Sequence, residues 1–399
     1  MDRLDRLATY VDWFEPLHEI AMEQTGLGDF GEDPSYQTGL RVLLEAMDDY
    51  CDLSDMGLYA ARLKFIHVLK QRLLAEQAFK EQPHILENPL ARPLVITGLV
   101  RTGSTALHYL MARDPGRQHL QYWLAENPMA RPPLASWSEQ AGFQSSKANL
   151  DMMFQVAPKL KAIHYMAPDW PEECGHLLAQ TFTDDGWPCT RRAPHYNAWY
   201  EGVDMVPSYR QHKKLLQLIG SNEPDKPWLL KYPVHMKHLD SFLQVYPDAQ
   251  VIWTHRDPAV VMSSYVSLIA GFRELSVRPE TIDRDDILRE QMAIWAAGAE
   301  RGMAARARYP QAQFYDVHFD DFMADPVQQV RKAYQHFGID WTPACAAALQ
   351  QWHTDNPQHK HGKHGHGEHT LALDRAQILE RFAPYIEHFG VNTDRRAPR

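Results

Sequence analysis

Residues 94–105, Leu-Val-Ile-Thr-Gly-Leu-Val-Arg-Thr-Gly-Ser-Thr, constrain this chain more than any other stretch. Leu94 to Thr97 is a short apolar, β-branched run that stops at Gly98, the pattern of a buried strand. Ser104 to Arg113 then carries a helical pattern. The loop between them fits G-x-x-x-x-G-x-[ST], the phosphate-loop pattern, with Ser104 where Lys is expected. Its glycines allow tight turns, so that successive N–H groups converge on an anion. The following helix adds free donors and its positive end, and Thr105 adds a hydroxyl. With Arg101 as its cation, the loop suits a single 5′-phosphate bearing one further anionic group better than ATP with magnesium. The bland reading of the same residues is a turn that happens to contain glycine.

The strand-then-helix theme recurs. Trp228–Lys231 precedes a helical pattern at His238–Tyr246, Gln250–Thr254 precedes Ala259–Ala270, and Phe314–Phe319 precedes Pro326–Phe337. Such alternation predicts an α/β fold, a parallel sheet flanked by helices on both faces. Residues 1–90 read as a helical N-terminal segment, and 91–399 as the α/β domain. That domain carries an insertion at about 124–222, with Pro-rich turns and helical patterns at Glu172–Phe182 and Tyr209–Ile219. An insertion there is placed to cap the sheet's carboxyl edge, where open α/β folds bind ligands.

Composition narrows the partners. Across 399 residues, 51 Asp and Glu outweigh 41 Lys and Arg, a formal net charge of −10. This argues against nucleic acid, whose binders carry a basic surface, but leaves room for a small anion held by a local positive patch. Cys51, Cys174, Cys189 and Cys345 show no CxxC spacing, which fits a reducing compartment and no Cys-based zinc site. No apolar run is long enough for a membrane span or signal peptide, so a cytoplasmic protein without membrane insertion is expected.

A second anion site is written in Val251-Ile-Trp-Thr-His-Arg-Asp-Pro-Ala-Val-Val-Met-Ser-Ser264. A strand again ends in a cation, and Pro258 suits the first turn of a helix. Ser264 follows Arg256 by eight residues, about two helical turns, so both can face one phosphate. The alternative is an Arg256–Asp257 ion pair at the helix start.

Taken together, VITGLVRTGSTALHYL and VIWTHRDPAVVMSSYVSL, 155 residues apart from Arg101 to Arg256, resemble the 5′-phosphosulfate loop and 3′-phosphate segment of PAPS-dependent sulfotransferases. The resemblance covers roughly residues 93–390 and is closest to bacterial sulfotransferase-domain proteins with an arginine-type loop and an HRDP segment. It implies a P-loop NTPase-like sulfotransferase fold, 3′-phosphoadenosine 5′-phosphosulfate (PAPS) as donor, 3′,5′-bisphosphoadenosine as product, and no metal. Carried over, Arg101, Thr102, Gly103, Ser104 and Thr105 would hold the 5′-phosphosulfate, and Arg256 and Ser264 the 3′-phosphate.

Sulfuryl transfer to a hydroxyl or amine needs a general base. Cytosolic sulfotransferases carry Lys-Thr-His-x-Pro before the 3′-phosphate Arg, with the His as base and the Lys steadying the sulfuryl group. Here Lys231 matches the Lys, but His235 follows it by four residues rather than two, so Lys231 is the firmer assignment. A hydrogen-bonded structural His235 is the competing reading. Glu126, 25 residues after Arg101, lies roughly where some protein-tyrosine sulfotransferases use a Glu. His164 and His195 in the insertion are further candidates, each with a structural or surface role as the alternative. Tyr165, Trp170, Phe182, Trp187, Tyr196 and Trp199 are either acceptor-pocket lining or core.

The tract HKHGKHGHGEH, His359–His369, has three readings. By the resemblance, Gly362, Lys363 and His364 stand near a C-terminal loop that covers the nucleotide's 3′ end. A solvated loop and a metal site are the others. The resulting expectation is a sulfotransferase acting on a small-molecule hydroxyl, less readily an amine, with the oligomeric state open and a homo-oligomer admissible. Its rivals are a P-loop kinase using ATP and a non-catalytic metal-binding protein using the His tract.

Overall fold

The computed structural model describes residues 3–163, 165–356 and 374–394. Five strands form one parallel sheet: β1 (Leu94–Gly98), β2 (Gln118–His119), β3 (Trp228–Lys231), β4 (Gln250–His255) and β5 (Phe314–His318), in the order β2-β3-β1-β4-β5. β1 is central, with Ile96 opposite Lys231 of β3 and Gly98 opposite Thr254 of β4. After β1 the chain runs to one side of it, and after β3 it crosses to the other. The carboxyl end of β1 is therefore a topological switch point, where open parallel sheets form their ligand crevice.

Alternation along the strands divides the core between two faces. Val95, Leu230, Val251 and Trp253 join the larger cluster, and Leu94, Ile96, Leu229 and Ile252 the smaller. All these side chains are buried, as expected for a sheet covered on both faces. The Ser104–Met111 and Pro326–Phe337 helices contribute to the smaller cluster. The larger cluster takes in the Phe14–Thr25, Ser35–Asp49 and Asp55–Glu81 helices of the N-terminal segment together with the insertion. Ser54 caps the last of these, accepting from the Gly57 N–H at 3.1 Å. Arg72, 1% exposed, donates from Nε to the Phe30 carbonyl at 2.7 Å and ties the preceding loop to the same core.

The structure departs from the sequence reading in two places. β2 is only two residues long, too short to leave a hydropathy pattern. The expected helix at Glu172–Phe182 is reduced to Gly175–Leu178 followed by one 3-10 turn at Ala179–Thr181. Glu172 and Glu173 lie outside any helix, after the bridge of Pro171 to Gln121. The Glu172 N–H donates to the Leu120 carbonyl (2.8 Å) and the Cys174 N–H to the Lys231 carbonyl (3.1 Å). The insertion is thereby laced to the carboxyl edge of β3.

Candidate active site

The loop after β1 is built on unusual backbone. Gly98 has φ 132° and Gly103 φ 86°, and the non-glycine Arg101 sits at φ 59°. A Cβ on Gly98 would lie 2.4 Å from the Thr254 carbonyl oxygen, so neither the space nor the dihedral admits another residue. Thr102 is buried and fixes the turn, its Oγ1 donating to the Leu99 carbonyl (2.7 Å) and meeting Thr254 Oγ1 (2.6 Å). Ser104 starts the following helix and is buried, while Thr105 is partly exposed. Left-handed φ at a non-glycine residue is a strain that persists where the surroundings hold it, often at functional sites.

Arg101 is held from both sides. Its Nε donates to Ser264 Oγ at 3.0 Å, and its carbonyl accepts from Arg256 Nη1 at 2.9 Å. The Arg256 guanidinium also lies 3.9 Å above the Phe319 ring, an arrangement suited to a planar cation. Loop, β4 cation and helix hydroxyl thus form one connected unit. Asp257 has other work: its carboxylate accepts from the Ala259 N–H (2.9 Å), capping the Pro258–Arg273 helix, and pairs with Arg375 (2.6 Å). Arg256 also lines a cavity of about 330 Å³ at the carboxyl ends of β4 and β5, shared with His318 and Asp320.

Lys231 ends β3 and is 2% exposed. Its Nζ donates to Thr105 Oγ1 at 3.1 Å and pairs with Glu173. Glu173 was not among the residues singled out by the sequence motifs. It belongs to no recognisable pattern, and the insertion brings it to the edge only through the backbone lacing at Leu120 and Lys231. Its charge also acts on Arg101, whose guanidinium is lowered from its ordinary pKa by burial and pulled back by Glu173. Beside it, Glu172 is buried and accepts from the Glu173 N–H at 2.8 Å. Burial, then the neighbouring Glu173 charge, push the Glu172 carboxyl up to about 8.

The other candidates lie elsewhere. His235 is wholly buried; its Nδ1 meets Tyr209 Oη at 3.0 Å and its ring packs 4.7 Å from Phe242. Burial drives its pKa well below the ordinary value. The four-residue spacing explains the placement: Pro233–Met236 forms a 3-10 turn that carries the imidazole into the core. The structure thus places the imidazole in the core, the structural position that competed with a base at the edge. Glu126 is bound into a different cluster, accepting from Lys64 Nζ (3.2 Å) and Ser146 Oγ (3.0 Å). Burial alone would raise its pKa, but Lys64, His176 and His67 together lower it to about 2. A carboxylate so stabilised is a weak base. His195 is exposed and meets Asp49. Phe182, Trp187 and Tyr196 are core: Phe182 stacks on Trp187 at 5.4 Å, and Tyr196 Oη donates to the Phe182 carbonyl. Tyr165 and Trp170 are half-buried, packing edge-on at 4.8 Å, with Trp170 also 5.0 Å from Tyr109. Trp199 is half-buried against Tyr196. His164, Gly362, Lys363, His364 and the rest of the His359–His369 tract lie outside the described residues. Among the described residues no group of three or more His, Cys, Asp or Glu is arranged to hold a metal ion.

A parallel sheet with a phosphate-type loop at its switch point, and cations from three strands meeting there, defines a P-loop-like group-transfer enzyme. The profile of the sulfotransferase family matches residues 93–343, and the chain belongs to that family. It is a sulfotransferase. The crystal structure of sulfotransferase STF1 from Mycobacterium tuberculosis H37Rv is 35% identical, covering 93% of this chain and 98% of that one, with a TM-score of 0.82. That of sulfotransferase STF9 from Mycobacterium avium is 24% identical, covering 98% and 99%, with a TM-score of 0.88, and shares the fold. The omega-hydroxy-beta-dihydromenaquinone-9 sulfotransferase Stf3 of Mycobacterium bovis is 24% identical over 320 residues, 77% of this chain and 76% of that protein.

Proposed function

We propose that this sulfotransferase takes its sulfuryl group from PAPS and delivers it to a hydroxyl, less readily an amine, of a small-molecule acceptor. The carrying observation is the linked cluster at the switch point: Lys231 Nζ 3.1 Å from Thr105 Oγ1, Arg101 Nε 3.0 Å from Ser264 Oγ, and Arg256 Nη1 2.9 Å from the Arg101 carbonyl. In this reading the loop from Arg101 to Thr105 receives the 5′-phosphosulfate, and Arg256 with Ser264 the 3′-phosphate. The cluster lies at the carboxyl edge to which the insertion is laced, and preformed donors there act on developing charge without reorganising. A hydroxyl acceptor is also the kind named for the mycobacterial relative Stf3.

For the proton we turn to a residue that the motifs did not suggest. Glu173 is the carboxylate beside both Lys231 and the loop, and we assign it as general base. Its pairing with Lys231 couples two tasks. When Lys231 turns to the charge building on the transferring group, Glu173 is released to accept the acceptor's proton. Glu172, kept protonated near neutral pH by burial and by Glu173, holds the pair to one negative charge. Among the described residues no helix is long and apolar enough to cross a membrane, and we place the enzyme in the cytoplasm.

The test is transfer of ³⁵S from labelled PAPS to a panel of hydroxyl and amine acceptors. Label should reach a hydroxyl acceptor with wild-type protein and fall sharply with Glu173→Gln, while Glu126→Gln retains transfer. Transfer unaffected by Glu173→Gln would remove Glu173 from the chemistry. Transfer of phosphate from ATP but no sulfur label would overturn the donor assignment.

A further inference from the structure

A second cavity, of about 550 Å³, opens at the other end of the fold, on the β2 edge of the sheet. It is lined by β2, by the Arg131–Leu134 stretch, and by the turn Gly220–Lys226 that leads into the amino end of β3. It is therefore off the carboxyl edge that carries the transfer site. Its size is that of a site for a small organic molecule.

The lining is strongly cationic for so acidic a protein. Arg117, Arg131 and Lys226 are opposed by a single lining carboxylate, Glu223, which lies 3.5 Å from Arg131 and 3.2 Å from Lys226. Arg131 is itself a brace, donating to Gln118 Oε1 (3.0 Å) and to the His119 carbonyl (2.8 Å), so its charge is fixed in place. The field reaches His119, which is driven down to about 3 first by burial and then by Arg131, Arg113 and Lys226. A neutral imidazole keeps one N–H donor.

Three donor-capable atoms of this lining are buried without a hydrogen-bond partner among the described residues: Arg117 Nε and Nη1, and His119 Nδ1. Arg117 is 8% exposed, and its carboxylate neighbour Asp114 stands 3.9 Å away. Buried polar groups are otherwise nearly always satisfied, and an exception calls for a cause. Beside the polar Gln118, Gln121 and Asn222, the lining has an apolar stretch of Pro132, Pro133, Leu134 and Trp137. The Pro132 carbonyl accepts from Trp137 Nε1 at 2.9 Å, and Leu134 stands 72% exposed beside them.

We propose that this cavity is a second ligand site, distinct from the transfer site, for a small organic anion with a flat apolar body. The anionic group answers the excess positive charge of the lining. The flat body lies along the proline, leucine and tryptophan wall.

The probe is 2-naphthoate, titrated into the full chain by calorimetry, with naphthalene-2-methanol as its uncharged counterpart. The expected result is one saturable site for the carboxylate and much weaker binding of the alcohol. Lys226→Glu and Leu134→Asp, both at partly or largely exposed side chains, should each weaken the carboxylate tenfold or more without lowering the melting temperature. Saturating 3′,5′-bisphosphoadenosine should leave its affinity unchanged. The proposal is overturned by no saturable binding, by equal binding of the alcohol, by unchanged affinity in both variants, or by displacement with the bisphosphate, which would put the probe in the transfer site. None of these outcomes touches the PAPS assignment.

Discussion

Two glutamates of this enzyme are each paired with a lysine, and the proposed reading gives them opposite tasks. Glu126 meets Lys64 of the Asp55–Glu81 helix, Ser146 of the insertion and, at 4.0 Å, His176. Its partners come from the N-terminal segment and the insertion, so the pair staples the one to the other. Glu173 meets Lys231 at the end of β3, one hydrogen bond from Thr105. The pair chemistry is the same; what differs is which backbone carries it. In the proposed reading the carboxylate at the switch point exchanges its lysine for substrate, whereas the one that joins the N-terminal segment to the insertion serves stability.

The sharpest way to break this contrast is at the two carboxylates. Glu173→Gln is expected to lower kcat by about 10²–10⁴-fold, the usual share of a positioned general base, while affinity for 3′,5′-bisphosphoadenosine stays close to wild type. Steady-state rates with a calorimetric titration check both halves. Equal losses in rate and donor affinity would mean that Glu173 serves donor binding. Arg256→Ala comes next: bisphosphate binding should weaken by roughly 2–5 kcal/mol, the cost of removing one partner from a buried charge pair. An unchanged affinity would detach Arg256 from the site.

Glu126→Gln should leave kcat within a few-fold and instead reduce stability by about 1–3 kcal/mol, because Lys64 is partly exposed and recovers water. The pH dependence sharpens the assignment. Held at about 2 when folded against about 4.3 unfolded, Glu126 stabilises the protein fully above the unfolded value. That contribution is lost as pH falls toward the folded one. Melting curves between pH 5 and pH 3, taken as approximate bounds of that window, should fall less steeply in Glu126→Gln. Glu172 has the opposite sign. Raised to about 8, it costs stability as pH rises from about 4.3 toward that value. Glu172→Gln should therefore gain on wild type with rising pH, at most about 1.4 kcal/mol for each pH unit crossed. A constant difference across that range would contradict the buried, protonated carboxyl.

The motifs point to the proposed donor side and not to the proposed base, for physical reasons. A phosphate loop, Arg256 and Ser264 stand at fixed spacing because strand, turn and helix geometry dictate it, so local sequence suffices. β1, β3 and β4 were legible because each is a compact apolar run buried on both faces. Glu173 is placed by the hydrogen bonds that its neighbours Glu172 and Cys174 donate to Leu120 and Lys231, 52 and 57 positions away, which leave no local pattern. His235, four residues after Lys231, is carried by a 3-10 turn into the core, a placement that the spacing alone does not reveal. The insertion's aromatics split the same way. Phe182, Trp187 and Tyr196 satisfy the core, and hydropathy alone does not distinguish them from Tyr165 and Trp170.

The most direct test of the account is a melting-shift titration of the full-length protein with 3′,5′-bisphosphoadenosine, in parallel with ATP and magnesium. A ligand at about one hundred times its Kd stabilises the folded state by about 2.7 kcal/mol. The account predicts a saturating rise in melting temperature with the bisphosphate that Arg256→Ala greatly reduces and that needs no magnesium. A shift with ATP and magnesium, and none with the bisphosphate, would contradict it.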